Sequence, residues 1–141
     1  MKALTLTSLV WIALAATGFA RIGEDEKQIE ATYGKPGKDL GTHGNVHELG
    51  YMSDGYMILV DFVNGISKRE GFANPDTSPL SPQSVEEILR RSAPEGTSWK
   101  EAPASGDDKS WTRSDSKVIA IFPALRKFVF VQDVTFVQPK Q

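Results

Sequence analysis

Residues 56–63 are apolar at every position except Asp61, and after Asn64 and Gly65 the chain turns to a polar alternation. In that second run Ile66, Lys68, Glu70 and Phe72 fall on one parity and Ser67, Arg69 and Gly71 on the other. Two strand-like runs joined by Asn-Gly predict a β-hairpin, because a type I′ turn needs positive φ at both central residues. The apolar run suits a strand covered by helices on one face and partly sheltered on the other. The charged run suits a more exposed edge strand. Residues 47–52 predict a preceding strand that ends in a turn at Ser53, Asp54 and Gly55. Upstream, Ile22, Glu26, Ile29 and Tyr33 recur at helical spacing, with Ile29 and Tyr33 as the buried positions. Gly34 and Pro36 stop that helix, and Glu24, Asp25 and Glu26 sit where its dipole favours negative charge.

A second helix follows the turn-rich residues 73–79. Ser81 is placed to cap it, Pro82 suits its first position, and Leu80 and Val85 form a hydrophobic staple across its start. Val85, Ile88 and Leu89 make its apolar stripe, with Glu86–Arg90 and Glu87–Arg91 as i,i+4 pairs. Beyond it, Trp99 opens a short strand, residues 111–113 the return strand, residues 118–122 a buried strand and residues 128–137 a last one. Residues 138–141 are expected to fray. Laid over one another, residues 22–73 and 80–137 predict two tandem α-β-β-β units. Their strands would form one antiparallel sheet with both helices packed on one face, a two-layer α+β domain. The uncovered face would then be available for binding, with Tyr51, Tyr56, Trp99 and Trp111 as its candidate aromatic surface.

The N-terminus changes the picture by placing the chain outside the cytoplasm. Lys2 precedes an uncharged, mostly apolar stretch, and Gly18 and Ala20 stand at positions −3 and −1 of a cleavage site. Residues 1–20 thus predict a secretory signal, with a mature domain of residues 21–141 that is periplasmic or secreted. The apolar stretch is shorter than the roughly 20 residues of a membrane span, and no later segment is longer. Cysteine is absent, which removes disulfides, thiol nucleophiles and zinc–thiolate sites and leaves the core alone to hold the fold. Of sixteen basic and eighteen acidic residues only Lys2 lies in the signal, so the mature chain is mildly acidic. Without a basic patch, nucleic acid is excluded as a partner class.

The two histidines share one glycine-rich segment, with Glu48 beside the second. On a helix His43 and His47 would face one way and Glu48 would complete a metal site, but Gly41, Gly44 and Gly50 argue against a helix. In one straight strand the two rings would stand about 13 Å apart. Asp54, Asp61 and Asp133 are the remaining candidates for paired carboxylates. No nucleophile elbow, metalloprotease helix, P-loop or dinucleotide fingerprint occurs.

Tyr33, Gly34, Lys35 and Pro36 ending a short helix, followed by strands with Phe62, Asn64 and Gly65 at a hairpin, resemble the modules of SmpA/OmlA outer-membrane assembly lipoproteins. The duplicated arrangement is similar to the repeats of secreted β-lactamase inhibitor proteins. The likeness implies a protein-binding habit and carries over no catalytic residue; the missing cysteine departs from the lipoprotein pattern. The expected function is a non-enzymatic binding or scaffold module for a protein or cell-envelope component, with no cofactor and no metal. The alternatives are a small metal-dependent hydrolase using His43 and His47, or an inhibitor of an extracellular enzyme.

Overall fold

The computed structural model describes residues 18–139. Most of the expected signal, residues 1–17, lies outside them. Helix α1 (Glu26–Tyr33) is followed by β1 (Lys38–His43), β2 (Val46–Ser53), β3 (Tyr56–Val63) and β4 (Ile66–Ala73). Helix α2 (Pro82–Arg91) is followed by β5 (Trp99–Ala102), β6 (Lys109–Arg113), β7 (Val118–Phe122) and β8 (Val129–Asp133). All eight strands join one antiparallel sheet in the order β1-β2-β3-β4-β8-β7-β6-β5. No helix among the described residues is long and apolar enough to cross a membrane.

This overturns the expected pair of α-β-β-β units. The protein is one continuous, sheet-dominated structure with two short helices, and four strands follow each helix. The strand missing from the sequence reading is β1, whose residues are mostly exposed and polar. An edge strand with one neighbour and no buried face has no apolar alternation to betray it.

Local chemistry explains the helices. Asp25 accepts from the Gln28 amide at 2.9 Å while the Gln28 side chain accepts from the Asp25 amide at 3.0 Å, a reciprocal cap on α1. Ser81 accepts from the Ser84 amide at 3.1 Å with Pro82 in the first turn of α2. Ile29 and Tyr33 of α1 and Val85, Ile88 and Leu89 of α2 enter one core with Ile58, Val60, Phe62, Phe72, Val129 and Val131. Asn64 and Gly65 take φ of 52° and 77°, as the hairpin turn between β3 and β4 demands.

The charged run is the second correction. β4 is no edge: it pairs with both β3 and β8 and sits mid-sheet. A bulge makes this possible. Asp61 pairs with Arg69 but Phe62 pairs with Ser67, so Lys68 is the extra residue. From there on every side chain changes face, and Glu70 and Phe72 turn into the core opposite Val60 and Ile58. The charges find partners there: Lys68 with Asp133 at 3.1 Å, Arg69 with Asp61 at 2.6 Å, and Glu70 with the Tyr33 hydroxyl at 2.7 Å.

Deleting Lys68 should therefore leave Glu70 opposite Val60 and Phe72 opposite Ile58 in a regular ladder, and cost only about 1 kcal/mol or less, the scale of the lost Lys68–Asp133 pair. Urea unfolding measures it. A loss of about 3 kcal/mol or more, the scale of losing one buried phenyl ring, would show that Lys68 is not the extra residue of the ladder.

Candidate functional site

Both helices contribute to the core on one face of the sheet, and the opposite face carries an unbroken row of aligned positions. Reading across the strands, the register runs Lys38, Gly50, Leu59, Gly71, Phe130, Ile121, Ser110 and Ala102. Leu59 stands between two glycines, Phe130 and Ile121 lie side by side, and Ser110 and Ala102 follow as small residues. Leu59, Phe130 and Ile121 are each only partly buried, as are Met57, Phe128 and Ile119 nearby. Phe130 lies over Gly71, where an added Cβ would stand 2.9 Å from its ring. Phe128 stacks on Phe130 with centroids 5.6 Å apart. Towards β5 the surface dips into a groove of about 390 Å³ lined by Ala102, Ser110, Thr112, Ile119 and Ile121 among others. Partly exposed apolar positions of this density on one sheet face are what a binding surface offers.

The adjacent row on the same face is polar at its β1–β4 end: Glu48, Asp61, Arg69 and Gln132 stand side by side. Asp61 is buried and accepts from Arg69 Nε at 2.7 Å and pairs with its Nη2 at 2.6 Å. Burial and then the hydrogen bond to Asp61 push the Glu48 carboxyl above its ordinary range, against the pull of Arg69 and His43. The Arg69 guanidinium also lies 5.0 Å from the Phe130 centroid and 5.3 Å from that of Phe136, and donates to Gln138 at 2.9 Å. The tail expected to fray thus runs over this corner, and with His43 and Pro139 it walls a cleft of about 80 Å³. The arrangement links an acid pair to one arginine. It can hold a proton or receive a small polar group.

A second acidic site lies on the helix-covered face. Glu70 is fully buried. Its Oε1 accepts from the Arg21 amide at 2.9 Å and its Oε2 from the Tyr33 hydroxyl at 2.7 Å, while that hydroxyl accepts from the Ala20 amide at 3.1 Å. Burial is the chief cause that pushes Glu70 up to about 7, offset by the hydrogen bonds from Tyr33 and Arg21.

Of the four aromatic residues expected on the open face, only Trp111 borders it, as part of the wall of the groove, and its ring packs against the core. Tyr51 and Tyr56 are buried in the core, where Tyr51 packs against Tyr33 and Tyr56 meets Phe19 edge-on. Trp99 and Trp111 are half-buried against that same core, and the Trp99 indole donates to the Leu89 carbonyl at 2.6 Å. Each shares the parity of Ile58 or Ala120, which the helices cover. The residues missed were Leu59, Phe130 and Ile121. Counting outward from the tight turns gives their parity, and aromatic content alone does not.

The histidines separate in the same way. His43 pairs with Val46 and His47 with Phe62, which places them on opposite faces. His47 turns to Asp39 at 3.0 Å and Glu26 at 3.3 Å, and the hydrogen bond to Asp39 leads in raising its pKa. Asp54 and Asp133 lie apart from Asp61, each with its own cation, Arg91 and Lys68. No group of three or more His, Asp or Glu side chains is placed to hold a metal ion among the described residues.

Replacing Arg69 by Met should cost about 3–5 kcal/mol, since it strands Asp61 as a buried, unpaired charge. Asp61→Asn in the same background should recover part of that loss; no recovery would show that Arg69 acts by packing alone. The raised Glu48 pKa gives a second outcome. A carboxyl bound more tightly to its proton in the folded state contributes stability at pH below its unfolded pKa and loses it as pH rises through the folded value. Glu48→Gln should thus flatten the decline in stability above about pH 4.3, the ordinary Glu value, read from urea midpoints across pH. An unchanged slope would remove Glu48 as its source.

No family model matches the chain. Among solved structures, the chain is similar to a 1.5 Å crystal structure of an extracellular protein containing an SCP domain from Bacillus anthracis str. Ames. The two are 12% identical with a TM-score of 0.47, over 94% of this chain and 50% of that one. The chain spans half the length of that protein, and a likeness this distant carries neither its fold nor its activity across.

Proposed function

We propose that this chain is an exported, non-enzymatic binding module whose helix-free sheet face takes a protein or another component of the cell envelope. The observation that carries the reading is the row Leu59, Phe130 and Ile121, apolar and only partly buried, on the face the helices leave uncovered. A surface that merely contacts water gains nothing from such a row, whereas a partner's apolar side chains bury it at about 25 cal/mol per Å². Gly71, Ser110 and Ala102 leave recesses beside the larger side chains, and the half-buried Glu48 adds a polar group at the margin. Export is supported by Lys2, the uncharged stretch after it and the small residues Gly18 and Ala20. The resemblance to outer-membrane assembly modules and to secreted inhibitor proteins points to the same protein-binding habit. No observation favours the hydrolase alternative, with its two histidines on opposite faces.

A photo-crosslinking side chain placed at Ile121 of the exported protein should join it to a discrete envelope species. The same group at Glu86, exposed on α2, should give none. Ile121→Asp should weaken retention of that species by about tenfold or more, as loss of a central apolar contact does. Equal crosslinking from both faces, or none from Ile121, would remove the helix-free face as the binding surface.

A further inference from the structure

Glu70 is a fully buried carboxylate that accepts from two neutral donors, and one of them is a main-chain nitrogen at the junction where the leader is expected to end. The Arg21 nitrogen stands 2.9 Å from Glu70 Oε1. Ala20, on the other side of that peptide bond, holds φ at 49°, a left-handed conformation that a residue with a Cβ adopts at a cost. Arg21 does not depend on Ala20 for its position. Its carbonyl accepts from Ser67 Oγ at 2.6 Å and its guanidinium Nε donates to Glu24 at 2.6 Å. The segment that follows is bound to the start of β4 by Gly23 to the Ser67 carbonyl and Ser67 to the Glu24 carbonyl.

We propose that Glu70, with Tyr33, is a receptor for the α-amino group of Arg21, exposed when the chain is cut between Ala20 and Arg21. The cut is a hydrolysis by an export peptidase. Water adds across the bond, its hydroxyl going to the Ala20 carbonyl carbon, which leaves as a carboxylate, and its protons to the Arg21 nitrogen, which becomes an ammonium. The nitrogen already lies at hydrogen-bond distance from Glu70, so a buried carboxylate exchanges an amide donor for a full positive charge without rearrangement. That converts a buried carboxyl held by neutral donors, which burial pushes towards its protonated form, into a hydrogen-bonded ion pair. The other titratable groups around it are Tyr33 on α1, Tyr51 on β2 and the Arg21–Glu24 pair on the N-terminal segment. The cut also removes Phe19 from its place against Tyr56, Phe72 and the Arg91 guanidinium. It also ends the bonds from the Phe19 amide to the Arg91 carbonyl and from the Ala20 amide to the Tyr33 hydroxyl, and the ion pair and the relief at Ala20 act against these losses.

The inference rests on the export part of the proposed function, and one preparation separates the two. The full chain is expressed with export, and the folded product is sequenced from its N-terminus and weighed intact. An N-terminus at Arg21 is expected. An uncut chain would overturn both readings, and a folded product that retains Phe19 would overturn this one alone. The pH midpoint of the Arg21 α-amino group, followed by nitrogen NMR or by amine-selective labelling, then tests the ion pair. Pairing with Glu70 should raise it by about one unit or more above the ordinary value near 8, slowing labelling about tenfold at neutral pH. Glu70→Gln should abolish the rise. Should that variant not fold, the urea-unfolded wild type supplies the reference. A midpoint at or below the ordinary value in the folded protein overturns the proposal.

Discussion

Lys68 is one residue too many for the ladder between β3 and β4, and much of the molecule follows from how the sheet absorbs it. Because side chains alternate with a period of two, one extra residue exchanges the faces of everything beyond it. Without the bulge Phe72 and Glu70 would look away from the helices and Gly71 would face them. With it, Phe72 enters the core beside Val129, Glu70 reaches Tyr33, and Gly71 makes room on the open face for Phe130. The bulge also hands Asp61 to Arg69 rather than to Lys68, which is then free to meet Asp133 across the seam with β8.

That seam is where two four-strand meanders become one sheet. β4 lies against β8 with Phe72 opposite Val129 and Glu70 opposite Val131, so the core passes without a break from under α1 to under α2. Joining the meanders there leaves only β1 and β5 as edges, one polar and the other short. The same continuity gives the uncovered face its reach. Leu59 and Ile121 belong to different halves of the chain yet fall on one row because β4 and β8 hold them in register.

Charge is arranged around this frame in two different ways. On the open face Asp61 and Arg69 neutralise each other, and Glu48 beside them has its proton affinity raised first by burial and then by the neighbouring acid. On the covered face Glu70 is held by hydrogen bonds from Arg21 and Tyr33 and stays more protonated than an exposed carboxyl. Both sites exist because charged residues of β4 were carried into the middle of a sheet, where each requires a specific partner.

Much of the local structure is legible in the chain itself. Ser81 and Pro82 start a helix, Asn64 and Gly65 turn a hairpin, and residues 56–63 and 118–122 read as buried strands. These depend on short-range geometry that neighbouring residues dictate alone. Glu48 opposite Asp61 was legible too, by counting back from the Asp54–Gly55 turn, although the sequence reading did not count it. The sequence does not announce that β1 is a strand, that β4 is central, or that Glu70 and Phe72 face inward while Gly71 faces out. Those follow from the bulge and from the pairing of β4 with β8, a contact between residues about sixty positions apart. A single displaced residue moves a whole strand from one face to the other, and only the neighbours that strand meets in space decide whether the displacement is kept.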